Sequence, residues 1–154
     1  MIKFAVLTIA SITLSQSPAM APRFAKVLLH APKAALTMEV ADTPGKREYG
    51  LMNRFFLGRH DGMVFVFTRN MAQEFWMKNT LIPLDMVFVD GNGRVSSVAQ
   101  NVPASRLDTA DADIARRRGL AKFVLELNAG EAARDGLTAG ALVTGLTALK
   151  ALDR

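Results

Sequence analysis

Residues 75–95, FWMKNTLIPLDMVFVDGNGRV, contain the pattern that decides the fold of this chain. Residues 75–77 and 86–89 are apolar, and they belong to strands predicted at residues 73–77 and 85–90. The segment Gly91–Gly93 supplies the positive φ angles that a tight hairpin turn requires. The stretch therefore predicts neighbouring strands whose polar corner, residues 78–85, is the part that packing alone explains least.

The rest of the chain extends this β-rich pattern. Thr43-Pro44 has the composition of a helix start, with a hydroxyl cap followed by proline, and predicts a short helix to about Met52. A capping-box pattern at residues 128–131 predicts a second helix that closes at Gly136. Further strands are predicted at residues 35–41, 62–67, 73–77, 94–101, 122–127 and 141–146. This order predicts an α+β, β-rich fold: a compact, mainly antiparallel sheet or small barrel of about six to seven strands with two short helices.

The N-terminus has the form of a secretory signal. Lys3 precedes an apolar run over residues 4–14, and Ala19-Met20-Ala21 matches an A-x-A cleavage site. The run is shorter than the roughly 20 residues that span a bilayer, so we expect a signal peptide over residues 1–21, or a membrane anchor over residues 4–14 where cleavage fails. Pro22 is an awkward residue after the cut, which leaves the cleavage site open.

The length of 154 residues and the hydrophobic content of 50% suit one packed domain. After the signal we expect a leader over residues 22–33, a single domain over 34–147 and a tail over 148–154. The predicted location is therefore outside the cytoplasm, in the periplasm or extracellular space, with membrane contact only through the N-terminal segment.

Composition excludes several classes of function. Removing residues 1–21 takes away Lys3 and no acid, which lowers the formal net charge from +5 to +4. The positive residues form short groups, Lys46-Arg47 and Arg116–Arg118, without interleaved exposed aromatics, so no nucleic-acid partner is predicted. The chain has no cysteine, which excludes disulfides and thiol chemistry.

Catalytic and metal-binding motifs are missing from the sequence. It has no H-E-x-x-H, G-x-S-x-G or Walker pattern, and only two histidines, His30 and His60. The loop that starts at Asp90 resembles a calcium loop but places Arg94 where a third oxygen ligand belongs. No metal or cofactor is therefore predicted.

The corner at residues 78–85 is the candidate site. One hypothesis is a polar pocket with an apolar wall, formed by Trp76, Lys78, Asn79, Thr80 and Asp85. The competing interpretation is an internal salt bridge with a turn-capping network. Glu126 adds a separate question, because a carboxylate inside an apolar strand needs a partner or an outward direction.

The ordered segments VADTP, GLM, GMVF, FWMKNT, IPLD and FVLEL resemble domain-of-unknown-function family 192, also called uncharacterised protein family 0127. The resemblance spans about residues 35–145, and it implies a compact β-rich domain of exported or membrane-anchored proteins with no established activity. Gly140-Ala141 departs from the Gly-Asp that often enters the last strand of members. The hallmark positions of the family fall here on Gly50, Met52, Met63, Trp76, Met77, Thr80, Pro83, Asp85 and Glu126.

Three functions are compatible with these observations. The leading prediction is a non-catalytic domain of the cell envelope that binds a small molecule or an envelope protein around residues 76–85. An alternative is a hydrolase-type enzyme in which Lys78 or Asp85 transfers protons, which requires burial in a cleft. A second alternative is a structural or assembly role.

Overall fold

Six strands form one open sheet in the computed structural model, which describes residues 21–153. Two short helices and two 3-10 turns, Asp111–Asp113 and Leu146–Ala148, accompany the sheet. In chain order the elements are β1 (Ala25–His30), β2 (Ala35–Ala41), α1 (Pro44–Tyr49), β3 (Asp61–Trp76), β4 (Leu84–Val89), β5 (Val95–Val102), β6 (Arg116–Asn128) and α2 (Glu131–Arg134).

The sheet is mixed, with the strand order β1-β2-β3-β6-β4-β5. Only β2 and β3 run parallel, and every other neighbouring pair is antiparallel. The sheet does not close, so of the two predicted architectures the open sheet is confirmed and the barrel is not. The α+β, β-rich class with two short helices is also confirmed.

Strand β3 is longer than the sequence predicts. The sequence predicted two strands, at residues 62–67 and 73–77, separated by polar residues 68–70. The chain instead continues as one strand of 16 residues, with a register shift between Val66 and Met71. Residues 71–76 pair with residues 116–121, so β6 also begins earlier than predicted. The polar interruption is therefore an irregularity in the pairing: residues 67–70 of β3 span the gap that Lys122 alone spans in β6, and pairing resumes beyond it.

The ends of the domain differ from the predictions as well. The segment 22–33, predicted to be a leader, contains β1, which pairs along its whole length with β2. The predicted strand at residues 141–146 makes only isolated bridges, Arg94 with Leu142 and His30 with Thr144. The predicted signal peptide falls almost entirely on residues 1–20, which lie outside the described residues.

Helix α1 belongs to the crossover between the parallel strands β2 and β3. Its start is as predicted: the Thr43 side chain accepts a hydrogen bond from the Lys46 backbone N–H at 3.3 Å, and Pro44 occupies the first turn. The helix ends at Tyr49 because Gly50 adopts a φ of 49°, which redirects the chain. Parallel neighbours require such a crossover, and this one lies across one face of the sheet.

Each face of the sheet is covered by a separate set of side chains. The α2 face carries Val87, Leu125 and Leu127 and packs against α2 and the chain after it. The other face carries Met63 and Met86 and packs against the chain after α1; we call it the pocket face. Alternation along β4 and β6 assigns each buried side chain to one face or the other.

Gly62→Ala is expected to destabilise the fold by about 1–3 kcal/mol. A Cβ at Gly62 would lie 2.4 Å from the Glu126 carbonyl oxygen, a backbone atom that cannot move without breaking the pairing of β3 with β6. Gly45→Ala is the matched control, because nothing lies within 4 Å of its added Cβ. Urea unfolding would measure both, and equal midpoints would show that β3 and β6 are not this close.

Candidate functional site

Glu126 lies in the middle of the pocket face. Its direct cross-strand neighbours are Met63 in β3 and Met86 in β4, so its carboxyl emerges between two thioether side chains. The residue is 5% exposed, and no residue within 21–153 forms a hydrogen bond with its side chain. Burial raises the pKa of the Glu126 carboxyl to about 8, from an ordinary value of 4.5. Glu126 therefore has no hydrogen-bond partner and does not point to solvent, although a carboxylate in an apolar strand was expected to have one or the other.

A small inner cavity borders this carboxyl. Its volume is about 30 Å³, and its other lining residues are 47–52, Phe65, Phe75, Trp76, Lys78 and Thr80. Phe65 and Phe75 meet edge to face with ring centroids 4.8 Å apart. The space suffices for one or two water-sized groups, so the cavity can admit the polar end of a ligand but not its body.

A larger outer pocket opens beside the inner cavity. Its volume is about 340 Å³, and Gly45 and Asn79 contribute to its lining. The two spaces are neighbours, since five residues line both of them: Glu48, Tyr49, Met52, Trp76 and Lys78. A ligand in the outer pocket therefore lies against residues that also border the cavity of Glu126.

Trp76 forms a wall of both spaces and attracts cations. It is the last residue of β3 and pairs with Arg116, whose guanidinium carbon lies 5.3 Å from the indole centroid. The Lys78 ammonium lies 4.9 Å from the same ring and 3.8 Å from an Asp111 carboxylate oxygen. Such cation–π contacts contribute about 0.5–2 kcal/mol and keep the ring in place.

A turn after β3 holds the remaining predicted site residues. Asn79 adopts a φ of 52°, which asparagine tolerates better than most residues, and its carbonyl accepts a hydrogen bond from the Asn53 N–H at 2.8 Å. The buried Thr80 hydroxyl donates to the Lys78 carbonyl at 3.2 Å. The hydrogen bond from Asn53 therefore ties this turn to the chain after α1, and both segments line the outer pocket through Asn79 and Met52.

Asp85 lies on the opposite side of the sheet. Its carboxylate is fully buried on the α2 face and accepts three backbone N–H groups, from Asn101, Gly130 and Ala132, at 2.8, 2.9 and 3.0 Å. This is the capping network that the competing interpretation described. The structure thus brings Trp76, Lys78, Asn79 and Thr80 together and separates Asp85 from them.

Glu48, Tyr49 and Met52 were not predicted as pocket residues, because only the crossover in the folded chain brings α1 over the sheet. The one sequence signal for a site on this face was Glu126, a charged residue in an apolar run. Among residues 21–153, no group of three or more His, Asp or Glu side chains could hold a metal ion. Within the same residues, no helix is long and apolar enough to cross a membrane.

The fold and site define a class: a β-rich α+β domain with an aromatic-walled pocket beside a buried carboxyl. The chain belongs to the DUF192 family, described as an uncharacterized ACR, whose family profile matches residues 27–145. The resemblance drawn from the six ordered segments between residues 40 and 127 is thereby confirmed.

Two solved structures are similar to this chain. One is a candidate transcription regulator from Sinorhizobium meliloti, with 34% identity over 83% of this chain and 99% of that one, and a TM-score of 0.70. The other is a protein of unknown function from Novosphingobium aromaticivorans, with 33% identity over 84% of this chain and 90% of that one, and a TM-score of 0.62. No curated protein matches the chain.

Proposed function

We propose that this chain is an exported, non-catalytic domain that binds a small ligand between Trp76 and Glu126. One observation carries the proposal: a buried carboxyl without a hydrogen-bond partner borders a small cavity that shares five lining residues with a larger, aromatic-walled pocket. The A-x-A segment at residues 19–21 supports export.

Energetics support a binding role for Glu126. A buried polar group without a partner costs about 1–3 kcal/mol, and apolar side chains of similar size would fill the same space without that cost. Its neighbours Met63 and Met86 show that the surrounding positions accept apolar residues. A buried carboxyl with a raised pKa that borders a cavity has the properties of a functional group.

The outer pocket supports a small ligand rather than a large one. A volume of about 340 Å³ lies at the lower end of ligand pockets in proteins. Tyr49, Met52 and Trp76 offer apolar surface, while Glu48, Lys78 and Asn79 offer polar groups at its edge. This combination buries the body of a ligand and orients it with few hydrogen bonds.

Trp76→Ala is expected to lower ligand affinity at least about tenfold, because it removes the wall shared by both spaces. Native mass spectrometry after exposure to periplasmic extract should show a small-molecule adduct on the wild type and not on Trp76→Ala. Phe55→Ala is the control, since Phe55 is 84% exposed and lies outside both spaces.

Equal adducts on the wild type and Trp76→Ala, or none on the wild type, would count against the proposal. Trp76 is the only tryptophan in the chain, so its fluorescence follows the pocket alone in a direct titration. Because one structural relative is described as a candidate transcription regulator, the same titration with a short DNA duplex tests that function too.

Acid catalysis is a second candidate function, favoured by the raised pKa of Glu126, which keeps its proton available near neutral pH. Glu48 borders the same cavity and is exposed, so the two carboxyls have different environments. Lys78 and Asp85 do not share a pocket and cannot act as a pair. Turnover of a bound ligand that Glu126→Gln abolishes, while binding persists, would favour the enzyme.

A further inference from the structure

We infer that the ligand is a primary amine on a flat apolar stem, with its ammonium in the inner cavity against Glu126 and its stem against Trp76 and Tyr49. This inference rests on the proposed function and names the chemistry of the same site. Four properties of the pocket support it: the size of the inner cavity, its open hydrogen-bonding capacity, its aromatic lining and its proton balance.

Size restricts the group that reaches Glu126. A primary ammonium group is about as large as a water molecule and fits a cavity of about 30 Å³. A trimethylammonium group carries three additional methyl groups and does not. The inner cavity therefore selects a primary amine over a quaternary one.

Hydrogen-bonding capacity and burial together favour Glu126 as the partner, since Glu48 in the same lining is exposed. The Thr80 hydroxyl already donates to the Lys78 carbonyl, and the Arg47 guanidinium already donates to the Asp42 and Val66 carbonyls. The Glu126 carboxyl has no such bond within residues 21–153 and is 5% exposed. An ammonium group brings three donors and the opposite charge, so it satisfies this carboxyl better than a neutral group does.

The aromatic lining favours a cation as well. Phe65 and Phe75 line the inner cavity, Tyr49 and Trp76 line both spaces, and ring faces attract positive charge. The Lys78 ammonium and the Arg116 guanidinium already lie over the Trp76 ring, at 4.9 and 5.3 Å from its centroid. These two contacts show that the Trp76 ring already attracts cations in this structure.

Binding of an ammonium releases one proton. The Glu126 carboxyl is protonated below about pH 8, and the incoming ammonium replaces that proton. The ammonium and the carboxylate then form an ion pair, and the proton leaves to solvent, so charge is conserved. Alkylamines keep their own proton up to about pH 10. The affinity should therefore rise about tenfold per pH unit between pH 6 and 8.

The other charged or titratable side chains around the cavity are Arg47, Glu48 and Tyr49 from α1 and Lys78 after β3. From β4, the residue facing Glu126 is Met86, which does not titrate. The pH dependence between 6 and 8 can therefore be assigned to Glu126 by comparing the wild type with Glu126→Gln.

The experiment compares 2-phenylethylamine with 2-phenylethanol, which has the same stem and a neutral tip. We expect calorimetry at pH 8 to give at least about tenfold tighter binding of the amine, with proton release, and a smaller preference at pH 6. Glu126→Gln should remove the preference for the amine without loss of the folded state. Glu74→Gln is the matched control and should retain that preference, because Glu74 is exposed and lines neither space.

Equal binding of the amine and the alcohol, or failure of the amine to bind, would overturn the inference. So would phenyltrimethylammonium binding as tightly as the primary amine. The proposed function would survive either result if periplasmic extract still supplied an adduct that Trp76→Ala loses. Absence of both the adduct and amine binding would remove the proposed function as well.

Discussion

Asp85→Asn is expected to destabilise the protein by about 3 kcal/mol, the largest loss at any single position considered. The fully buried carboxylate accepts N–H groups from Asn101, Gly130 and Ala132. An asparagine amide has only one acceptor oxygen, so its NH₂ group must face at least one of these donors. The variant therefore loses a charge-assisted hydrogen bond and leaves a buried N–H unsatisfied.

Urea unfolding at pH 7, followed by Trp76 fluorescence, would measure this loss. Asp90→Asn is the matched control, because Asp90 also accepts two backbone N–H groups, from Asn92 and Arg94, but in an exposed turn. We expect the control to change stability by less than about 1 kcal/mol. An Asp85→Asn variant that folds normally but loses ligand would instead assign Asp85 to binding.

Glu126→Gln is expected to increase stability above neutral pH and to remove a pH dependence of the wild type. The folded-state pKa is raised from 4.5 to about 8, so between these values the folded state holds a proton that the unfolded state has lost. Stability therefore falls as pH rises through this window and is constant beyond it, with a total change of up to about 5 kcal/mol.

The difference between wild type and Glu126→Gln isolates this effect from the other carboxyls. Unfolding free energies at pH 5, 6, 7 and 8 should diverge steadily, with the variant the more stable protein at pH 8. Glu48→Gln is the control, since Glu48 is exposed and its replacement should leave the profile unchanged. Parallel profiles for wild type and Glu126→Gln would mean that the carboxyl is solvated.

These two carboxyls belong to adjacent cross-strand pairs of the same two strands. Asp85 pairs with Leu127, and Met86 pairs with Glu126, so the acids lie one residue apart along the ladder. They point to opposite faces because successive residues in a strand alternate. The Asp85 carboxylate accepts three backbone N–H groups, whereas the Glu126 carboxyl borders a cavity and has a raised pKa.

Elements whose signals are local could be predicted. The apolar run at residues 85–90 became β4 at Leu84–Val89, and the Thr43-Pro44 pattern began α1, because apolar runs and cap chemistry act over a few residues. The continuation of β3 through its irregular segment could not be predicted. Polar residues 68–70 are part of the strand only because the distant β6 pairs with β3 on both sides of them. The predicted strand at residues 141–146 lacks such a continuous partner.

By itself the sequence determined the family, the β-rich class and a cluster at residues 76–80. It also marked Asp85 and Glu126 as carboxyls in apolar strands. Only the tertiary structure decided their environments, because these depend on segments far away in the chain. Gly130, which donates to Asp85, lies 45 residues later, and the chain after α1, which covers Glu126, lies more than 70 residues earlier. Alternation assigns a side chain to a face, but only long-range packing decides what that face meets.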